Sequence, residues 1–390
     1  MTSRSLRRAA NWVLLPAAGI LIGLLLCEGL LRIAGISFPV FDTYDPLRGT
    51  ALRPGKEGWY RKEGKAYLRI NSLGYRDSDH DIAKPPGTIR IAVLGDSFTE
   101  ARQVAHEDTY WALLARGLAD SCPGVAGKKV EVLNFGVGGY GTTEALLTLR
   151  KDALRFSPDL VLLAFFSGND LRDNSKTLAS RESWRMPRPY FVYSNGDLIF
   201  EKTPRPGLFQ RLLVEGVHHS RLLELVNEIR RIRAVRAAVS DVNAGLEAKD
   251  PEGIYAHPED PAWQEAWLIT EQLLMRVNQE AAAGGARLIL AIVPTPLQVH
   301  PDTVLRQASE RNLGVQDLFY VDRRLAAIGQ RLGFTVIGLA ERLQKIASEK
   351  GTYLHGFKNT AFGDGHWNEA GHRQAAEILT EQICAKVLTH

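Results

Sequence analysis

Ser97, His366, Asp364 and Asn169 are the side chains whose types could together move an acyl group. That chemistry needs a nucleophilic hydroxyl, a base to take its proton, and a group to orient the base. It also needs donors aimed at the oxyanion that develops on the carbonyl. Ser97 supplies the hydroxyl, His366 the base and Asp364 the orienting carboxylate. The Ser97 amide, a glycine amide from the Gly138-Gly139 turn and the Asn169 side chain supply the donors. Glycine in such a turn leaves room for a substrate to approach the backbone. Taken alone, Gly95-Asp96-Ser97 suits a helix cap equally well, because Ser and Asp are favoured caps.

Position decides between these readings. Ile89 to Leu94 is a short apolar run rich in β-branched residues, and Gly95 breaks it. It reads as a buried strand of a parallel sheet with Ser97 at its carboxyl end, where open α/β sheets place their ligands. Val130 to Asn134 is a second strand, ending in Gly136-Val137-Gly138-Gly139-Tyr140-Gly141. Leu160 to Phe165 is a third, running into Ser167-Gly168-Asn169-Asp170. Helical periods carrying Leu113, Leu114 and Leu118, then Leu146, Leu149 and Leu154, separate them, which is the rhythm of βαβ units. Ala286 to Ile292 and Phe334 to Ile337 give strands four and five, and Asp364 and His366 lie on a loop before a final helix. Asp96 and Asp170 are expected to tie down their turns, and Asn368 to begin that helix. Trp367 is read as either core or pocket wall.

Gly95-Asp96-Ser97, Asn134 through Gly139, Gly168-Asn169-Asp170 and Asp364-Gly365-His366 stand in order at these strand ends. From Ile89 to the carboxyl terminus, apart from an insertion, the chain thus resembles the SGNH/GDSL hydrolase superfamily. The resemblance implies a three-layer α/β/α sandwich with a five-stranded parallel sheet of flavodoxin-like type, and no metal or other cofactor. It implies Ser97 as nucleophile, His366 as base, and Ser97, Gly139 and Asn169 as the oxyanion hole. One departure stands out. The usual last block has Asp three residues before His, and here Gly363 holds that place while Asp364 lies two before. The Asp-x-His spacing is also similar to polysaccharide O-acetyltransferases of the alginate type, in which the pair precedes the serine. The expected activity is a serine esterase removing an acyl group, acetyl, from a carbohydrate or related ester. The same acyl-enzyme would serve a polysaccharide O-acyltransferase working with polysaccharide-biosynthesis partners, and a non-catalytic glycan binder is the third reading.

The rest of the chain bounds location and organisation. Of 390 residues, 45% are hydrophobic and 24% charged, with a net charge of +4 too small to argue for nucleic acid. Arg4, Arg7 and Arg8 precede an apolar run from Trp12 to Leu31, long enough to span a bilayer. No A-x-A-like site follows, so the run reads as a signal anchor with its amino terminus cytoplasmic and the catalytic domain periplasmic. Residues 1–35 are then tip and anchor, 36–86 a stalk with a small β element, and 87–390 the hydrolase domain with an insertion at about 171–258. The insertion holds Trp184, Tyr190, Phe191 and Tyr193, which read either as sugar platforms or as its own core, and the solvated arginines Arg230, Arg231, Arg233 and Arg236. Cys122 and Cys384 are the pair left outside the span, either bridged or two buried thiols.

Overall fold

The computed structural model describes residues 3–180, 188–194, 197–203, 205–241 and 252–388. The chain opens with helix α1 (Ser3–Ile33), then strands β1 (Asp42–Asp45), β2 (Gly49–Leu52), β3 (Glu57–Tyr60) and β4 (Ala66–Arg69). Next come β5 (Thr88–Leu94), α2 (Ser97–Glu100), α3 (Tyr110–Ser121), β6 (Lys129–Asn134), α4 (Thr142–Lys151) and β7 (Leu160–Phe166). The insertion follows as α5 (Asp170–Asn174), α6 (Lys176–Ala179), β8 (Tyr190–Ser194), β9 (Asp197–Glu201), α7 (Leu208–His219), α8 (Arg221–Asp241) and α9 (Glu252–Tyr255). The chain closes with α10 (Pro261–Ala283), β10 (Arg287–Val293), α11 (Thr303–Leu313), α12 (Tyr320–Leu332), β11 (Thr335–Gly338), α13 (Ala340–Lys350) and α14 (Glu369–Lys386).

Five strands form one parallel sheet in the order β11-β10-β7-β5-β6. A parallel sheet is covered on both faces, so its strands are apolar throughout rather than alternating. Leu160 to Phe165 are accordingly all buried. Ile91, Val93, Leu160, Leu162, Ala164, Ile289 and Ala291 join one core with Leu114 and Leu118 of α3, Leu343 of α13 and Leu379 of α14. The alternate strand residues point to the other face, which α4, α10 and α12 cover. This is the three-layer sandwich the motifs imply. The order reverses between β5 and β7, and that switch point is where such sheets bind ligands.

Two compact units make up the chain, one holding the N-terminal segment with α7 and α8, the other holding the sheet and everything else. The segment from Asp42 to 86, read from sequence as a stalk, therefore belongs to the unit of the sheet. It pairs into two antiparallel hairpins, β1–β2 and β3–β4. Buried Arg48 fixes it there, donating to Asp45 (3.1 Å), Tyr75 (2.6 Å) and Asp152 (2.8 Å). Within the insertion, Phe191 packs on Phe200, so this ring serves the local core, while Tyr193 stays exposed and Trp184 lies outside the described residues. Cys122 and Cys384 form a disulfide with their α-carbons 5.5 Å apart, joining the end of α3 to α14.

Candidate active site

Ser97 starts a four-residue helix directly after β5. The turn is tight: a β-carbon on Gly95 would stand 2.3 Å from Thr99 Oγ1 and 3.0 Å from the Ala164 carbonyl. Asp96 caps the helix, its carboxylate accepting from the Phe98 amide at 2.9 Å. Burial pushes the Asp96 carboxyl up to about 6. Asp170 makes the matching tie after β7, accepting from the Phe166 amide at 3.2 Å. Both aspartates therefore hold turns, as their positions predict.

His366 reaches back to this turn from the loop before α14. Its Nε2 lies 2.8 Å from Ser97 Oγ. The ring packs on Phe98 at 5.0 Å between centroids, and Trp367 beside it is wholly buried in the core. The two groups expected as nucleophile and base are thus in hydrogen-bond contact.

Asp364 does not complete the line. It is exposed, and its Oδ1 accepts from the next amide, that of Gly365, at 2.7 Å. The carboxylate at His366 Nδ1 is instead Glu63, with Oε2 at 2.5 Å, while Oε1 accepts from the His366 amide at 2.7 Å. The reason lies in the loop. Gly363 and Gly365 take φ of +84° and +73°, a bend that leaves the Asp364 side chain facing outward. Glu63 comes from the loop between β3 and β4. Asn359 clamps that loop, accepting from the Gly64 amide (2.9 Å) and donating to the Gly64 (3.0 Å) and Arg61 (3.2 Å) carbonyls. Gln103 donates a further bond to Glu63 Oε2 at 3.3 Å.

The electrostatics follow from this pairing. Burial disfavours the imidazolium of His366, but the hydrogen bond and charge of Glu63 outweigh it and hold the ring above its ordinary value. Burial would raise Glu63, but its bonds from His366 keep it below the usual carboxylate range. Two other histidines near the ring are held neutral by burial, His355 and His372 each pushed down to about 3. His372 Nδ1 accepts from the Tyr110 amide at 3.2 Å, a structural duty.

The proposed oxyanion donors come from three separate turns. Gly138 lies against Ser97, since its β-carbon would stand 3.7 Å from that of the serine. The Gly138 amide is taken, donating to buried Glu100 at 2.6 Å. Gly139 follows at φ +81° on the exposed crest of the turn. Asn169 stands half-buried past β7, its Oδ1 without a hydrogen-bond partner among the described residues. Ser97, just after β5, and Asn169, just after β7, thus follow the two strands that flank the switch point of the sheet.

Glu63 carries no motif, and 303 positions separate it from the histidine it touches. Its one sequence trace is indirect: a glycine at 363, where the family places its acid, leaves the imidazole to be oriented from elsewhere.

A serine and a histidine in hydrogen-bond contact thus stand beside the switch point of a parallel five-stranded α/β sandwich. Residues 93–374 match the model of the GDSL-like lipase/acylhydrolase family, and the chain belongs to that family. It is an enzyme that hydrolyses ester bonds. No curated protein matches the chain in sequence. Solved structures similar to it include TesA, at 14% identity over 77% of this chain and 99% of that one, TM-score 0.37. The acetyl xylan esterase AlAXEase is similar at 13% identity over 76% and 100%, TM-score 0.39. The acetylxylan esterase Axe2 from Geobacillus stearothermophilus is similar at 12% identity over 76% and 94%, TM-score 0.39.

Proposed function

We propose that the chain is a membrane-anchored serine esterase that removes a short acyl group, acetyl, from a carbohydrate outside the cytoplasm. The observation that carries the mechanism is the hydrogen-bonded line from Glu63 through His366 to Ser97. His366 Nε2 takes the proton of Ser97 Oγ as the oxygen attacks the ester carbonyl. The oxyanion is met by the Ser97 and Gly139 amides and by Asn169. His366 then returns the proton to the departing sugar oxygen, leaving Ser97 acylated. Water attacks next, giving its proton to His366, and collapse frees the carboxylic acid and Ser97. Glu63 stays ionised, fixes the tautomer with the proton on Nδ1, and stabilises the imidazolium that forms at each step.

Two observations support the location. Leu14–Ile33 of α1 is 20 residues long and apolar enough to cross a membrane, with arginines only on its amino-terminal side until Arg32. The Cys122–Cys384 bridge suits an oxidising compartment. For the substrate, Trp59 and Tyr67 are exposed on the hairpin that carries Glu63, and such rings suit the faces of sugars.

The test incubates the protein with acetylated glycans, simple acetyl esters and long-chain esters, with and without an acceptor sugar. Release of acetate from glycans, abolished by Ser97→Ala together with labelling by serine-directed phosphonates, is the expected result. Acylated acceptor in place of free acid would make it a transferase. A Ser97→Ala variant with full turnover would remove the mechanism. A reporter active only in the cytoplasm, fused after His390, should be silent.

A further inference from the structure

Helices α1, α7 and α8 form a unit that the ester chemistry does not use. Near the end of the apolar stretch Leu14–Ile33, the Glu28 carboxylate accepts from Ser220 Oγ (2.9 Å), the Arg221 amide (3.1 Å) and the Leu222 amide (3.0 Å). Arg32 pairs with Glu28 at 2.7 Å and donates to the His219 carbonyl at 2.7 Å. Just after α1, the Phe38 amide donates to Glu224 at 3.1 Å. The junction of α7 and α8 is therefore pinned to the last turns of α1. At 1.5 Å of rise per residue, Glu28 lies roughly 8 Å before Ile33 along the helix, about the depth of a headgroup layer. Its donors are what a carboxylate at that depth requires.

From this anchorage α7 extends with little to hold it. Leu208 to Glu215 are all exposed, including Leu208 at 72%, Phe209 at 73%, Leu212 at 61% and Leu213 at 48%. At about 100° per residue these four fall within an arc of roughly 140°, with Gln210, Arg211, Val214 and Glu215 on the remaining surface. Twelve residues are marginal as a free helix in water. They are also too short to cross a bilayer, at about 18 Å. A short helix with one apolar face of Leu and Phe, tied to the end of a membrane-crossing helix, fits the membrane surface.

We propose that α7 is an interfacial helix, its Leu208, Phe209, Leu212 and Leu213 face bedded in the leaflet from which the carboxyl-terminal end of α1 emerges. This rests on α1 crossing the membrane. The occupant of the apolar face is lipid because the helix that pins α7 ends in lipid within two turns of the junction.

The test uses the full chain in lipid nanodiscs holding one copy each, in a Cys27→Ala background, where the disulfide leaves no other reactive thiol. Single cysteines Phe209→Cys, Leu212→Cys, Gln210→Cys, Glu215→Cys and mid-span Leu21→Cys are timed against a membrane-impermeant maleimide. The expected result is that positions 21, 209 and 212 react about tenfold or more slowly than 210 and 215, the pattern of a helix lying in the interface. Slow reaction at 21 with 209 and 212 as fast as 215 would overturn the interfacial helix and leave the anchor standing. Fast reaction at 21 would overturn the anchor and the helix together. Protection of 209 and 212 only when several copies share a disc would assign the face to a second copy and overturn lipid as its occupant.

Discussion

A β-carbon on Gly365 would stand 2.2 Å from Glu63 Oε1, so only a residue without a side chain beside His366 lets this acid from another segment enter. Its φ of +73° disfavours any side chain besides. Gly365→Ala is expected to cost on the order of 1–3 kcal/mol of stability and to displace Glu63. Denaturant midpoints and kcat should fall together. A variant with wild-type kcat would mean that the acid tolerates displacement.

Glu63 and Asp364 should separate cleanly in kinetics. Glu63→Gln favours the tautomer with its proton on Nε2, where Ser97 needs an acceptor, and should lower kcat on the order of 10³–10⁴-fold. Asp364→Asn removes an exposed carboxylate that accepts from the neighbouring Gly365 amide, and should change kcat by less than about threefold. The reverse order of effects would restore Asp364 as the orienting group.

The pH profile carries a sign. His366 must be neutral to accept the serine proton, and Glu63 raises its pKa above the ordinary value of about 6.5. Activity should therefore be lost as pH falls through a midpoint above about 6.5, read from kcat/KM. In Glu63→Gln the raising influence is gone, and the residual acid limb should move to lower pH. A limb that stays in place would assign the titration to another group.

The disulfide closes a loop across 262 positions, from the end of α3 to α14. In the chain-entropy view such long closures stabilise by several kcal/mol, mainly by restricting the unfolded chain. Cys384→Ser should lower unfolding stability by about 2–5 kcal/mol, measured by denaturant titration without reductant. Reductant should destabilise the parent and leave the variant unchanged; equal responses would rule the bridge out as a stabiliser.

What was legible in the sequence follows from what is local. Leu160 to Phe165 reads as a strand because burial on both faces demands an unbroken apolar run. Ser97 and His366 are readable because each sits in a short motif at a strand end or before a helix. Glu63 is hidden because its partner is set by tertiary contact alone, and its hairpin lies in a stretch of Pro, Gly and charge that resembles a linker. The alternation of Ala66, Leu68 and Ile70, all buried, marked one strand there without saying what its loop would touch. The attachment of α7 and α8 to α1 was equally invisible, since Glu28 meets Ser220 across 192 positions. Trp367, read either way from sequence, is core because it packs under Phe98 and His372.

The family match begins at residue 93, thirty positions after the acid. A fragment cut at that boundary would keep the serine, the imidazole and the glycines, and would look complete to any motif search. It would nonetheless lack the carboxylate that meets the imidazole at Nδ1. The proposed relay and the fold thus have different outlines in this chain: the sandwich can be drawn without the β3–β4 hairpin, whereas the proposed relay cannot. Inheritance could alter the hairpin while every recognisable signature stayed in place, so that a silent relative would differ from an active one where no signature reaches.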